Sequence, residues 1–404
     1  MSQPDIQLSS LTIGQPLPHA LYGPDGVMLL RDGIRVTAAF IDKLRERGLT
    51  AVRATAEADV PAAAPPVGPT APVDPRTPPA PAPELEATDA PAPPRLDAEA
   101  FFAELPRAQA AFGKALGHYA AIAPDLLGGR LDHAGPAYEL VESFGPTLNK
   151  DPVLLAMLLR AGRQLDPARH AHGLRASLLS MALGRHLGLD ATQLRDAGVA
   201  ALLHDLGMAR VGVACDTLPR KLTDAERREV GRHPELTLDL LNRLRGVGTA
   251  VRHAAFQVHE RRDGRGYPCA RQPMFVSPLA KIVAVADAYA ALTATRSWRP
   301  AFSGHDAVKT VLTDTRAGRF DRTATRTLLD ALSLFPPGTR VALSDGRSAQ
   351  TLRGVPGHNL RPVVVVLKMD GTPGRREVDL SAEGQPEITA VLPDPPGATD
   401  TAAA

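Results

Sequence analysis

The 404 residues carry 46 Lys and Arg against 44 Asp and Glu, a net charge of +2, so nothing in the bulk charge points to a nucleic-acid or membrane surface. The length suffices for two or three domains with a substantial core. Two cysteines, Cys215 and Cys269, exclude a disulfide framework beyond one bridge and suit a reducing compartment. The N-terminus lacks a basic region followed by an apolar one, and no uncharged apolar run is long enough to span a bilayer. A soluble, cytoplasmic protein is expected.

Residues 1–54 read as a small N-terminal α+β accessory unit. Ala20–Tyr22 and Val27–Leu30 flank the turn cluster Gly23-Pro-Asp-Gly26, as in a hairpin. A helical spacing of Phe40, Ile41 and Leu44 follows, and Val52 can open a last strand. Residues 55–96 turn to Pro, Ala, Asp, Glu and Thr, a composition that buries too little apolar surface to offset ordering, so a disordered linker is expected.

From 97 to 335 the periodicity is helical almost throughout, and the chain is expected to be mainly α, built around a helical bundle. Phe101, Phe102, Leu105, Ala108, Phe112, Leu116 and Tyr119 line one amphipathic helix, and Val153–Leu165 forms another. Between Leu174 and Leu189 apolar residues occupy more than one face, the mark of a helix buried on most sides. Thr223-Asp-Ala-Glu226 is a capping box opening a helix that should end at His233, before Pro234. Ser277-Pro278 should cap a helix running to about residue 295. After Phe335 the residues become strand-like at Arg340–Leu343, Pro362–Leu367 and Glu377–Leu380, which predicts a small β appendix over 336–392 and a disordered tail from 393.

The chemistry is concentrated in the α region. His204 and Asp205 sit together at the end of the apolar run Ala200–Leu203. A carboxylate there is costly unless something compensates its charge, and a divalent metal does so. Taken alone, such a pair is more commonly a solvated helix end. His172, His233, His259 and Asp287 join it from other helical segments, and five separate segments converging by chance is hard to sustain. His172 shares a face with Ala176, Leu179 and Leu183; His170 lies on another apolar-lined face, and periodicity does not choose between them. Imidazole and carboxylate donors without paired cysteines suit iron, manganese or zinc.

These residues resemble a known family. His259-Glu-Arg-Arg-Asp-Gly-Arg-Gly-Tyr-Pro268 is similar to the signature of the HD-GYP phosphohydrolases, and Leu203–Gly207, His233-Pro234 and Asp287–Thr293 followed by Arg296 and Arg299 fall where that family places its motifs. The resemblance covers about 165–321. It implies an HD-type helical bundle and a metal-dependent phosphodiesterase that opens cyclic di-GMP to a linear dinucleotide, with GMP as a further product, in bacterial signalling. His172, His204, Asp205 and Asp287 would hold one ion. Asp205 would bridge to a second ion on His233 and His259, and His204 with Asp205 would carry the chemistry. Gly266, Tyr267 and Pro268 would shape the substrate loop, and Arg296 and Arg299 would hold phosphate. Implied partners are cyclic di-GMP, a signalling protein such as a diguanylate cyclase and a second copy of the chain, with no DNA and no membrane.

The departures from the family pattern define a second reading. Val258 replaces a His, which removes one ligand of the second ion, and Met208 replaces a Lys. Ala168 stands where three-metal members carry Glu; Ala290 replaces Asp, Thr237 replaces Gly, and Ser297-Trp298 replaces Pro-Tyr. The alternative is a degenerate member that binds nucleotide or a protein without turnover. His253 is a candidate substitute for the missing ligand.

Overall fold

The computed structural model describes residues 97–145, 168–215 and 217–393, with scattered positions between 5 and 85. The turn at 23–26, nearly all of the Pro/Ala-rich stretch, the helix expected over 153–165 and the residues from 394 onward lie outside that set. The chain divides into two compact units, Met1–Gly68 and Pro69–Ala404.

The first unit contains an antiparallel sheet of β1 (Asp5–Gln7), β2 (Leu21–Tyr22), β3 (Met28–Leu30) and β4 (Ala51–Ala54), in the order β1-β4-β2-β3. Leu21 pairs with Leu30 in the expected hairpin, and Val52 pairs with Ile6. Leu8, Leu21, Val36, Ile41, Leu44 and Val52 form its buried cluster.

The second unit is mainly helical, as the periodicity predicts. Its helices are α1 (Ala98–Gly128), α2 (Gly135–Glu142), α3 (Ala168–His186), α4 (Ala191–Leu203), α5 (Asp224–Val230), α6 (His233–Arg243), α7 (Thr249–Gln257), α8 (Pro278–Leu292), α9 (Gly304–Arg316) and α10 (Arg322–Leu332). Helix α3 is buried from Ala171 through Gly184 and packs on α4 and α8, because its apolar residues face every direction. Local chemistry sets the boundaries. Asp97 accepts from Ala100 N–H at 2.8 Å to start α1, while Asp190–Gln193 and Thr223–Glu226 form reciprocal capping boxes on α4 and α5.

Two boundaries differ from expectation. Helix α5 stops at Val230, and His233 is the first residue of α6 rather than the last of α5, with Pro234 within the first turn. The His233 ring spans the break, its Nδ1 lying 2.8 Å from the Val230 carbonyl. Helix α8 ends at Leu292 instead of about 295, because the Arg299 guanidinium takes the carbonyls of Ala291 and Leu292 at 2.9 and 3.0 Å.

The C-terminal residues form an antiparallel sheet of β5 (Arg340–Leu343), β6 (Ser348–Arg353), β7 (Val363–Leu367), β8 (Pro373–Asp379) and β9 (Ile388–Val391), ordered β8-β7-β6-β5-β9. Strands β6 and β9 are additional to the expected ones. Ser-Ala-Gln-Thr-Leu-Arg has little β propensity of its own, and its pairing with β5 and β7 supplies the stability. Leu352, Val363 and Val365 are buried in the same cluster as the helical core. Glu377 binds the Ala98 amide at the start of α1 and pairs with Arg353 at 2.9 Å. No helix among the described residues is long and apolar enough to cross a membrane.

Candidate metal centre

Five segments deliver the cluster. His172 comes from the first turns of α3, His204 caps α4 with Asp205 directly after it, His233 opens α6, His259 follows α7, and Asp287 lies in the middle of α8. All six side chains are brought together. His172 Nε2 is 2.9 Å from Asp287 Oδ1 and 3.7 Å from Asp205 Oδ2. His204 Nε2 is 3.4 Å from Asp205 and 3.6 Å from Asp287. His233 Nε2 lies 3.3 Å from Asp205 Oδ1 and 2.9 Å from His259 Nε2, and His259 Nδ1 is 3.9 Å from Asp287 Oδ2.

The open choice between two histidines on α3 is decided by direction. His172 points into the cluster, whereas the His170 ring meets Tyr119 edge-on at 5.2 Å. His253 belongs to neither of the two side-chain groups whose donor atoms converge closely enough for an ion among the described residues, His172/His204/Asp287 and His204/Asp205/His259.

Hydrogen bonding fixes the ring states and tests whether a cation fits. His204 Nδ1 is 2.7 Å from the Ala201 carbonyl, so Nδ1 carries the proton and donates. In the neutral ring Nε2 then turns a lone pair toward two carboxylates; the atom is buried and has no hydrogen-bond partner. His233 is oriented in the same way by Val230. Lone pairs facing carboxylates in a dry site repel unless a positive charge lies between them, and a divalent cation supplies it. The donor set fits an ion.

Without an ion, a proton on His204 Nε2 supplies that positive charge instead. Burial alone would lower the His204 pKa, but the carboxylates of Asp205 and Asp287 raise it to about 9. Burial would raise Asp205, yet His204, His233 and His172 hold it far below the usual carboxylate range. Asp287 is likewise held well below it by His172 and His204, against burial. Burial, with His233 alongside, pushes His259 well below its ordinary value. In metal-stripped protein the charged His204 therefore contributes stability that is complete below pH 6.5 and lost as pH rises through about 9. The melting temperature of chelated protein is expected to fall between pH 7 and pH 9.5, roughly in step with loss of that one proton. A flat profile there would show that His204 is already neutral at pH 7.

A glycine and a threonine hold this geometry. A Cβ on Gly207 would lie 2.3 Å from the His233 carbonyl and 2.6 Å from the Thr237 amide, so only glycine lets the turn after Asp205 touch α6. The Gly207 amide donates to Thr237 Oγ1 at 2.9 Å, and that hydroxyl donates to the His204 carbonyl at 2.8 Å. The sequence marks Thr237 only as a departure, but its hydroxyl pins the His204–Asp205 turn. Thr237→Val keeps the shape and orphans two buried backbone groups, so unfolding experiments should show a loss of about 2 kcal/mol.

The loop at 261–277 was legible only in part. Tyr267 stacks on His259, with centroids 4.8 Å apart, and its amide donates to the His259 carbonyl at 3.1 Å. A Cβ on Gly266 would sit 2.3 Å from the Arg261 nitrogen, which accounts for the glycine. The peptide bond between Tyr267 and Pro268 is cis. The sequence reading missed Glu260, a buried carboxylate that accepts the Cys269 and Arg271 amides at 2.8 Å each and clasps the loop. Gln257 was missed as well; it accepts from Ser277 N–H at 2.7 Å and donates to the Phe275 carbonyl. A carboxylate directly after a buried His was the available signal. Arg175, one turn beyond His172, is buried and binds the Ala290 carbonyl and the Thr293 hydroxyl, tying α3 to the end of α8.

The departures take clear places. Val258 is wholly buried in the helical core and offers no donor atom, and Met208 is buried. Arg299 caps α8, with its guanidinium 4.7 Å from the Phe302 ring and 5.3 Å from Trp298. Arg296 pairs backbone to backbone with Arg299, and Ser297 Oγ donates to the Leu218 carbonyl.

This helical bundle gathers His172, the consecutive His204–Asp205 pair and Asp287 into one buried cluster, and over residues 156–324 the chain matches the family model described as HD domain. The chain is therefore similar to HD-domain proteins over that stretch. Over 211 residues it is 33% identical to the cyclic di-GMP phosphodiesterase PA4108 of Pseudomonas aeruginosa, covering 52% of this chain and 50% of that one. It is 32% identical over 186 residues to the cyclic di-GMP phosphodiesterase response regulator RpfG of Xanthomonas campestris, covering 45% and 48%. A 3'3'-cGAMP-specific phosphodiesterase 3 of Vibrio cholerae is 30% identical over 189 residues, covering 46% and 41%. The chain thus matches half or less of the length of these relatives. A solved HDG"Y"P protein from Bdellovibrio bacteriovorus, Bd1817, aligns over 81% of this chain at TM-score 0.47 and 15% identity, too slight a likeness to argue from.

Proposed function

We propose that this chain is a metal-dependent phosphodiesterase that hydrolyses cyclic di-GMP to a linear dinucleotide. The observation that carries the reading is the unpartnered Nε2 of His204, held against Asp205 and Asp287 at the meeting point of five segments. His172, His204, Asp205 and Asp287 would hold one divalent ion, with Asp205 reaching toward a second on His233 and His259. Such ions supply Lewis acidity at the phosphate and lower the pKa of water. The protein's own part is to orient and to dry the site. The Ala201 and Val230 carbonyls fix two imidazole tautomers, Glu260 holds the loop, and Tyr267 covers His259. Arg296 is the cation assigned to the substrate phosphate; Arg299 supports it by shaping the end of α8.

A second reading, binding without turnover, is favoured by one specific observation: Val258 is packed in the core where a second-ion ligand would be. Protein purified anaerobically and reconstituted with iron or manganese separates the two. Two ions per chain and cleavage of cyclic di-GMP support the enzyme. One ion with dinucleotide bound intact supports the receptor, and no ion overturns both.

A further inference from the structure

Just past the end of α8 the chain makes a two-residue turn. Arg296 and Arg299 exchange backbone bonds at 2.9 and 3.1 Å, which leaves Ser297 and Trp298 at the tip. The turn is held from three directions. The Arg299 guanidinium takes the carbonyls of Ala291, Leu292 and Pro300. Arg175 of α3 donates to the Thr293 hydroxyl at 2.6 Å, and Ser297 Oγ donates to the Leu218 carbonyl. Two of these tethers lead back to the metal centre. Arg175 lies one turn beyond His172, and Leu218 lies on the segment that leaves the His204–Asp205 turn. Asp287 itself is only about 8 Å along the helix axis from the end of α8 at Leu292.

This framework presents the only tryptophan of the chain to solvent. Trp298 is 41% exposed, and it belongs neither to the buried clusters among the described residues nor to the side chains packed on them. The Arg299 guanidinium, 5.3 Å from the ring centroid, backs one face of the indole and leaves the other to solvent. Core packing does not account for an aromatic ring clamped in such a place. A flat ring backed by a cation is a surface on which a nucleobase stacks.

We infer that Trp298 is a stacking platform for one purine base of the dinucleotide, the residue that makes this site favour a nucleotide over a phosphate ester without a base. The inference deepens the proposed activity and rests on its assignment of Arg296 to the substrate phosphate. With Arg296 and Trp298 in one clamped turn, a single rigid element holds both phosphate and base. Stacking tolerates base identity, because every base has a π-face, so Trp298 gives preference for a nucleobase and not for guanine in particular.

A sole tryptophan makes the test direct, because the tryptophan fluorescence of the full chain reports Trp298 alone. Manganese-loaded protein is mixed with cyclic di-GMP or with ribose 5-phosphate in a stopped-flow fluorimeter, and cleavage is followed in parallel by chromatography. Cyclic di-GMP is expected to quench the signal saturably, and ribose 5-phosphate to leave it unchanged. Trp298→Ala should raise KM about tenfold, with a much smaller effect on kcat and with wild-type metal content and melting temperature. Trp298→Tyr should restore most of the affinity, and Trp298→Leu should not. Cleavage without a saturable quench, or a wild-type KM in Trp298→Ala, overturns the platform while the proposed hydrolysis stands. A saturable quench without cleavage overturns the hydrolysis and supports the platform. Equal quenching by ribose 5-phosphate, or Leu matching Tyr, overturns base stacking.

Discussion

His204→Ala is expected to abolish metal retention and turnover together. His204 is the one histidine common to both convergent donor groups, His172/His204/Asp287 and His204/Asp205/His259. Removing its imidazole leaves Asp205 and Asp287 facing each other across a buried space with less positive charge between them. Losing a mere supporting partner of a metal ligand typically costs 10–100-fold in affinity or activity. Loss of the ligand itself should therefore cut cleavage at least about a hundredfold, with metal per chain falling in parallel. His253→Ala is the control, since His253 stands outside both groups, and it should leave metal content unchanged. Metal fully retained in His204→Ala would sink the assignment of the centre.

Gly207→Ala carries the second large effect, and it acts through the backbone alone. The added methyl would meet the His233 carbonyl at 2.3 Å and the Thr237 amide at 2.6 Å, both main-chain atoms that cannot rotate away. Either the turn after Asp205 or the first turn of α6 must move, and the Gly207–Thr237 hydrogen bond is lost with it. Overpacking of this kind costs about 1–3 kcal/mol, and the broken bond adds about 1. Since His233 sits on the moved turn, its 3.3 Å approach to Asp205 should lengthen, so the variant is expected to lose metal as well as stability. Thermal melts with and without manganese check this: the metal-induced rise in melting temperature should shrink relative to wild type. An undiminished rise would mean that the turn accommodates the methyl without moving His233.

The two variants differ in what the sequence discloses about them. The importance of His204 is visible in the bare chain, because a His-Asp pair ending an apolar helix is chemically expensive without a cation. The importance of Gly207 is not, since glycine after a helix also reads as an ordinary stop. The same division runs through the site. His172 and His170 both satisfied an apolar periodicity, and only the packing of α3 against α4 and α8 turned one inward and set the other against Tyr119. Thr237 looked like a loss relative to the family pattern, yet its hydroxyl ties two backbone segments together. Arg299 looked like a phosphate clamp, and its guanidinium closes the end of α8.

What the chain by itself determined is local or compositional: helices over most of the second unit, the capping box at Thr223, the hairpin at Leu21–Leu30 and a set of donor residues too polar for the faces they occupy. Periodicity and capping act over a few residues, so they are written in neighbouring positions. Tertiary structure alone decided which lone pairs face which carboxylates, why Gly207 and Gly266 tolerate no side chain, how Glu260 clasps the loop, and that β6 and β9 join the sheet. These depend on contacts between residues tens of positions apart, where ångström-scale approach sets the energy and no local pattern encodes it.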